Sequence, residues 1–397
     1  MSRKPIRAAM LTQEGVSRRA FLKGCALCAS ALALPPSAAA AIAEALGNRR
    51  RQPLIWLSFQ ECTGCTESWT RSYTPTVEEL MFASLSLDYH HTLQAASGEA
   101  AEAARRQVMA RYDGDYLLAV DGAIPLRHEG ACSTIAGVSN LELLRTCAAG
   151  AKLILAVGTC AAFGGIPAAA PNPTGAVSVG RLMADDQIAR KPLVNIAGCP
   201  PIPVAISATL AHYLTFSRLP DLDELGRPLA FYGHTIHDRC PRLNFFKAEK
   251  FAKSFDDEGA RQGWCLYELG CRGPITHNAC ATVKWNHGTS FPIEAGSPCI
   301  GCSEPDFWDR DPFYQPIVAV PAAVAQERQA AQEGDGQALF EDNCRYCHIA
   351  DRPAFETPVE DIPELLRSGE IRAHRFEFTE SEFEVLAEYL KAEQRGP

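Results

Sequence analysis

The sequence predicts an α/β protein: a parallel sheet first, then an irregular segment dense in cysteine and glycine, then a small all-α tail. Three observations carry this. Residues 54–59, 116–120, 153–157 and 193–197 are short, continuously apolar runs, the pattern of strands buried on both faces. Helical stretches at 76–87 and 140–149 separate them, as crossovers between parallel strands require. Between Tyr232 and Asp309 that periodicity fades, and cysteines, glycines and prolines crowd together.

Composition bounds the rest. A chain of 397 residues, 47% hydrophobic and 21% charged, has length for two or three domains with real cores, which excludes disorder and a small disulfide scaffold. Its 38 Lys+Arg against 47 Asp+Glu leave a formal charge of −9, the wrong sign for a nucleic-acid binder. No apolar run reaches the roughly 18–20 residues that span a bilayer, so no transmembrane anchor is expected. The sixteen cysteines read either as disulfides or as metal ligands, and their spacing must decide.

Residues 1–43 read as an address. Arg18-Arg19 precede Phe21-Leu22-Lys23, an apolar stretch runs over 24–34, and Ser37-Ala38-Ala39-Ala40 follows. This is the order of an n-region, an h-region and a cleavage zone, with paired arginines resembling a twin-arginine export signal. Export places the mature chain in the periplasm. Cys25 and Cys28 leave with the segment.

Three of the four apolar strands run directly into cysteines. The first leads to Glu61-Cys62-Thr63-Gly64-Cys65, the third to Gly158-Thr159-Cys160, and the fourth to Gly198-Cys199-Pro200-Pro201. Ligands of open parallel sheets sit beyond the carboxyl ends of the strands, so these loops bring four thiols to one place. A lone Cys-x-x-Cys reads equally as a redox pair. Four converging thiolates suit zinc or an iron–sulfur cluster, and spacing leaves both open. The block from Tyr232 to Asp309 adds His237-Asp238-Arg239-Cys240, Cys265, Cys271, Cys280 and Cys299-Ile300-Gly301-Cys302. Two more polynuclear sites or three disulfides both account for these six cysteines.

Five motifs in order then bring a family into view. Glu-Cys-Thr-Gly-Cys-Thr-Glu-Ser at 61–68, Gly-Thr-Cys-Ala-Ala-Phe-Gly-Gly at 158–165 and Gly-Cys-Pro-Pro at 198–201 resemble the small subunit of nickel–iron hydrogenases. So do residues 269–286 and 298–309. The resemblance implies a flavodoxin-like domain at 50–225 and an iron–sulfur domain at 226–315. It implies a proximal [4Fe–4S] cluster on Cys62, Cys65, Cys160 and Cys199, and a distal [4Fe–4S] cluster on His237, Cys240, Cys265 and Cys271. Cys280, Cys299 and Cys302 leave three thiolates for a medial [3Fe–4S] cluster, with Pro292 where some relatives carry a fourth ligand. His234 falls outside the His-x-x-Cys spacing. Oxygen-tolerant members carry two further proximal cysteines; Gly64 and Gly165 occupy those positions here, implying an ordinary cubane.

The tail departs from the family. A Pro/Ala/Gln/Gly-rich stretch at 316–336 reads as a linker. In the segment 337–397, Cys344-Arg345-Tyr346-Cys347-His348 has the form of a c-type haem attachment site, two thiols for the porphyrin and a histidine for the iron. With a helical pattern at 380–392, the tail resembles a small all-α cytochrome c domain. Methionine is the common sixth ligand, but the five methionines stand at 1, 10, 81, 109 and 183. His374 is the only histidine after His348, which favours ligation by His348 and His374. Residues 322–397 hold 17 acidic and 8 basic side chains, a surface able to steer a basic partner.

The expected role is therefore an electron conduit: the small subunit of an exported hydrogenase, passing electrons through three iron–sulfur clusters to a fused haem c. Its partners would be a large subunit holding the nickel–iron site and a periplasmic cytochrome or other redox acceptor. A hydrogen-sensing subunit and an iron–sulfur/haem carrier without a large subunit are the alternative roles. Cys132 and Cys147 remain outside every set and are expected to be buried as small apolar residues.

Overall fold

A computed structural model of the chain describes residues 51–310 and 312–315, with Ala26 and Val385 as isolated positions. The signal segment, the linker and the tail bearing Cys344, Cys347, His348 and His374 lie outside the described residues. The chain divides into two units, Met1–Ile317 and Val318–Pro397, and the architecture below belongs to the first.

Five strands form one parallel sheet: β1 (Gln52–Ser58), β2 (Leu85–Tyr89), β3 (Tyr116–Asp121), β4 (Ala151–Val157) and β5 (Leu193–Ile196). Their order is β2-β1-β3-β4-β5, the flavodoxin-like order of a doubly wound sheet. Leu54 pairs with Leu117, Leu117 with Leu153, and Ile154 with Leu193. Alternation sorts each strand between two cores. Leu54 and Trp56 of β1 join one cluster of buried side chains, while Ile55 and Leu57 join the other.

The first core lies under α1 (Gly64–Thr70), α2 (Val77–Ala83) and a later helix Pro203–Phe216. Proline at that helix's first turn costs no hydrogen bond, since that N–H has no partner within the helix. The helix is buried almost all round and packs against α1 and α2. The same core continues into that segment through Phe231, Tyr232, Cys271, Cys280, Phe291 and Cys299. The second core packs helices Gly98–Arg111 and Asn140–Ala149 on the opposite face.

The stretch 76–87 is not one helix. Thr76 and Glu79 form a capping box that starts α2, but the helix ends at Ala83, and Leu85–Tyr89 becomes edge strand β2. Leu80, Ser84 and Leu87 fall at a helical spacing and Leu85, Leu87 and Tyr89 at a strand's, and the parallel ladder with β1, pairing Gln52 with Leu85 and Leu54 with Leu87, decides between them. Beyond residue 226 the described chain runs as short helices and single 3-10 turns such as His237–Arg239 and Gly273–Ile275.

Candidate metal centres

The first thiol set gathers at the carboxyl edge of the sheet. Cys62 lies in the loop after β1, Cys65 in the first turn of α1, Cys160 in the short helix Gly158–Phe163 after β4, and Cys199 just after β5. Backbone geometry requires glycine at two of these corners. Gly158 has φ +86° and a side chain there would run into the Cys65 sulfur; Gly198 has φ +144° and its Cβ would meet Pro200 and Pro201. Burial pushes the Cys160 thiol up to about 12 and the Cys199 thiol up to about 11, and it holds Cys65 well above the usual thiol range. Cys160 and Cys199 oppose ionisation of Cys65, Cys199 and Cys62 that of Cys160, and Cys62 that of Cys199. Their mutual opposition reflects their proximity, and a bound cation would favour the thiolates. A side chain at Gly64 would come 3.1 Å from the Cys62 sulfur, and one at Gly165 2.6 Å from that of Cys160, so both glycines stand directly against this set.

The second set lines a cavity. His237, Cys240, Cys265 and Cys271 share its wall with Arg242, Tyr267 and Ile293. His237 is buried, its ring edge-on to Phe246 at 4.5 Å. Burial raises Cys240 to about 11 and Cys265 to about 12, while the Arg242 guanidinium favours both thiolates. The Arg242 N–H also points at the Cys240 sulfur, 3.4 Å away. His234 stays outside, its side chain half exposed and 4.0 Å from Asp238.

Cys280, Cys299 and Cys302 form the third set. Burial pushes Cys280 up to about 12 and Cys299 well above the thiol range, with Cys302 disfavouring ionisation of both. Pro292 stands between Phe291 and Ile293, both buried. This set touches each of the others. Thr159, the neighbour of Cys160, donates its hydroxyl to Cys302 O, and Cys271 and Cys299 join one buried cluster. Arg272 N–H donates to Cys299 O at 2.8 Å. The three sets are thus contiguous, with Cys280, Cys299 and Cys302 in the middle. Among the described residues no three His, Cys, Asp or Glu side chains can hold a single metal ion together. No described cysteine forms a disulfide.

Three residues here escaped the sequence reading. Asp121 ends β3, the one predicted strand without a cysteine. It is fully buried with neither carboxylate oxygen hydrogen-bonded, and burial, with Glu61 second, raises its carboxyl to about 8. An aspartate between an apolar run and a glycine was the available signal. Thr159 and Arg227 join the thiol loops through hydrogen bonds, which no spacing reveals. Of the two leftover cysteines, Cys147 is fully buried as expected, whereas Cys132 is exposed, with its sulfur 3.8 Å from Arg127 O. It belongs to the surface loop between β3 and the helix Asn140–Ala149, where no apolar neighbour covers it.

A flavodoxin-like sheet with thiols at its strand ends, continued by two further thiol sets, fits the class of proteins that carry metal clusters in series. Comparison with known proteins narrows the class. Residues 232–315 match the C-terminal family of the NiFe/NiFeSe hydrogenase small subunit, and residues 62–213 match the family "NADH ubiquinone oxidoreductase, 20 Kd subunit". The chain is 47% identical over 312 residues to the uptake hydrogenase small subunit of Azotobacter vinelandii, covering 79% of this chain and 86% of that one. It is 47% identical over 306 residues to the periplasmic [NiFe] hydrogenase small subunit 1 of Nitratidesulfovibrio vulgaris, covering 77% and 95%. The crystal structure of a reduced, active Ni-Fe-Se hydrogenase from Desulfomicrobium baculatum matches with a TM-score of 0.63 at 39% identity, over 68% of this chain and all of that one.

The chain belongs to the [NiFe] hydrogenase small-subunit family. It is an electron-transfer subunit that pairs with a large subunit, where the catalytic site lies, and its family implies iron–sulfur clusters. Relatives include a periplasmic hydrogenase, and no helix among the described residues is long and apolar enough to cross a membrane.

Proposed function

We propose that this chain relays electrons released by hydrogen oxidation in its large subunit, through three iron–sulfur centres, to a haem c in its own tail. Cys62, Cys65, Cys160 and Cys199 would hold the proximal [4Fe–4S] group, and Cys280, Cys299 and Cys302 the medial [3Fe–4S] group. His237, Cys240, Cys265 and Cys271 would hold the distal [4Fe–4S] group. Cys344 and Cys347 would carry the haem, with His348 and His374 as axial ligands. When bound, these groups supply one-electron carriers whose potentials follow ligand type, hydrogen bonding and burial. The protein's part is to hold the thiolates at fixed separations; Cys65, Cys265, Cys271, Cys280 and Cys299 are buried, whereas Cys62 and Cys199 are exposed. With glycine at 64 and 165, the proximal set keeps four thiols, as an ordinary cubane needs.

The observation that carries the reading is that the middle thiol set adjoins both others, Thr159 beside Cys160 donating to Cys302 O and Arg272 beside Cys271 donating its N–H to Cys299 O at 2.8 Å, which supports a relay in series. Arg18-Arg19 and the apolar 24–34 stretch support export by the twin-arginine route to the periplasm, where a cytochrome or other redox protein would accept the electrons. The test is to purify the chain with its large subunit, analyse nickel, iron and haem, and follow the reduced haem band under hydrogen. Hydrogen-dependent haem reduction is the expected result. A nickel-containing complex whose haem stays oxidised under hydrogen would overturn the relay.

A further inference from the structure

We infer that the Thr159 hydroxyl is the brace that sets the proximal thiols against the medial ones, an inference resting on the reading of both sets as cluster ligands. Thr159 sits between Gly158 and Cys160 at the end of β4 and is 1% exposed. Its N–H donates to Gly198 O at 2.9 Å. Its Oγ1 accepts the Gly198 N–H at 2.9 Å and donates to Cys302 O at 2.5 Å. One side chain therefore joins three loops: its own, which carries Cys160, the loop of Cys199, and the loop of Cys299 and Cys302.

A hydroxyl both gives and accepts a hydrogen bond, and Thr159 uses both capacities between the two sets. Valine has the same shape and neither capacity. A second, parallel tie runs close by. The Tyr232 hydroxyl donates to Ala197 O at 2.6 Å, and the Arg227 guanidinium lies 5.3 Å from the Tyr232 ring centre while donating to Ser303 O at 3.0 Å. Because the Thr159 hydroxyl bonds both Gly198, beside Cys199, and Cys302 O, a shift of either loop alters both the separation of the sets and the hydrogen bonding beside their thiols. Those are the quantities that tune a cluster. Thr159 touches no substrate; it is a positioning residue.

The experiment uses the intact complex with the large subunit, carrying Thr159→Val, Thr159→Ser or Tyr232→Phe. Its readouts are iron content, amide hydrogen exchange at Gly198, and the midpoint potential of the three-iron electron paramagnetic resonance signal. Thr159→Val should keep its iron, exchange the Gly198 amide on the order of fivefold faster, and shift the medial potential. Thr159→Ser should restore both, and Tyr232→Phe should move both in the same direction by less. Iron loss in Thr159→Val that Thr159→Ser repairs supports the brace equally. The inference falls if Thr159→Val matches the unaltered complex in exchange and potential, or if Thr159→Ser is as defective as Thr159→Val. An unaltered complex without iron or the three-iron signal would instead remove the reading of the thiols themselves.

Discussion

Replacing Arg227 with methionine should cost about 3 kcal/mol of stability, at the lower end of the range for breaking a buried ion pair. The Arg227 side chain is 3% exposed and bridges two carboxylates, Asp223 at 2.7 Å and Glu304 at 3.1 Å. It also donates to Ser303 O. Methionine fills similar space but leaves both acids buried without their cation. Part of that cost is recovered locally. Asp223 keeps the N–H groups of Leu225 and residue 227, and Glu304 keeps the His277 N–H at 2.6 Å and its imidazole at 3.4 Å. That is why the lower end applies. At about 2–4 °C per kcal/mol for a body of roughly this size, the transition should fall by about 6–12 °C in a calorimetric scan of the intact complex. Lysine keeps the charge without the planar fork and should fall between the two. Glu304→Gln in the Arg227→Met background should recover part of the loss, since the uncompensated charge is then gone. A methionine variant within about 1 °C of the unaltered complex would refute this account of the ion-pair bridge.

Other outcomes follow from the same geometry. His90 is fully buried, its Nδ1 accepting the Thr92 N–H at 3.0 Å and its Nε2 facing Thr66 Oγ1 at 3.2 Å. Burial, with His91 second, lowers it from 6.5 to about 4. The unfolded chain therefore binds that proton first, so this part of the stability is intact above pH 6.5 and is lost as pH falls toward 4, up to about 3 kcal/mol. Unfolding of His90→Gln should depend less steeply on pH across that window, and an unchanged slope would count against the buried neutral imidazole. Cys271→Ser should lower bound iron by about four atoms per chain, whereas Cys132→Ser should leave iron unchanged, both read by metal analysis. Cys344→Ser with Cys347→Ser should abolish covalent haem on a denaturing gel. His374→Ala should alter the low-spin haem spectrum, and an unaltered spectrum would reject His374 as the sixth ligand.

Much of this was legible before any coordinates. The strand runs and their cysteine-terminated loops needed only apolar patterning and the rule that parallel sheets bind ligands at their carboxyl edge. All four sheet strands expected from apolar runs form, as β1, β3, β4 and β5. The edge strand β2 hid inside a helical pattern because Leu80, Ser84 and Leu87 fit a helix while Leu85, Leu87 and Tyr89 fit a strand, until β1 offers a partner. Cys132 was expected inside because cysteine is usually buried, and its exposed loop shows the limit of a residue-type average.

Sequence by itself determined the chemistry this protein carries: which thiols and which histidine are offered, in what order along the chain, and at which strand ends. Those are matters of residue identity and local spacing. Only the tertiary structure decided which sets touch. Cys199 and Cys302 lie far apart along the chain, yet Thr159 hydrogen-bonds both Gly198, next to Cys199, and Cys302 O. Residues as distant as Thr159 and Arg227 hold that junction by hydrogen bonds to Cys302 O and Ser303 O. Such contacts depend on how the cysteine-rich segment packs over one face of the sheet, a cooperative outcome of the shared core.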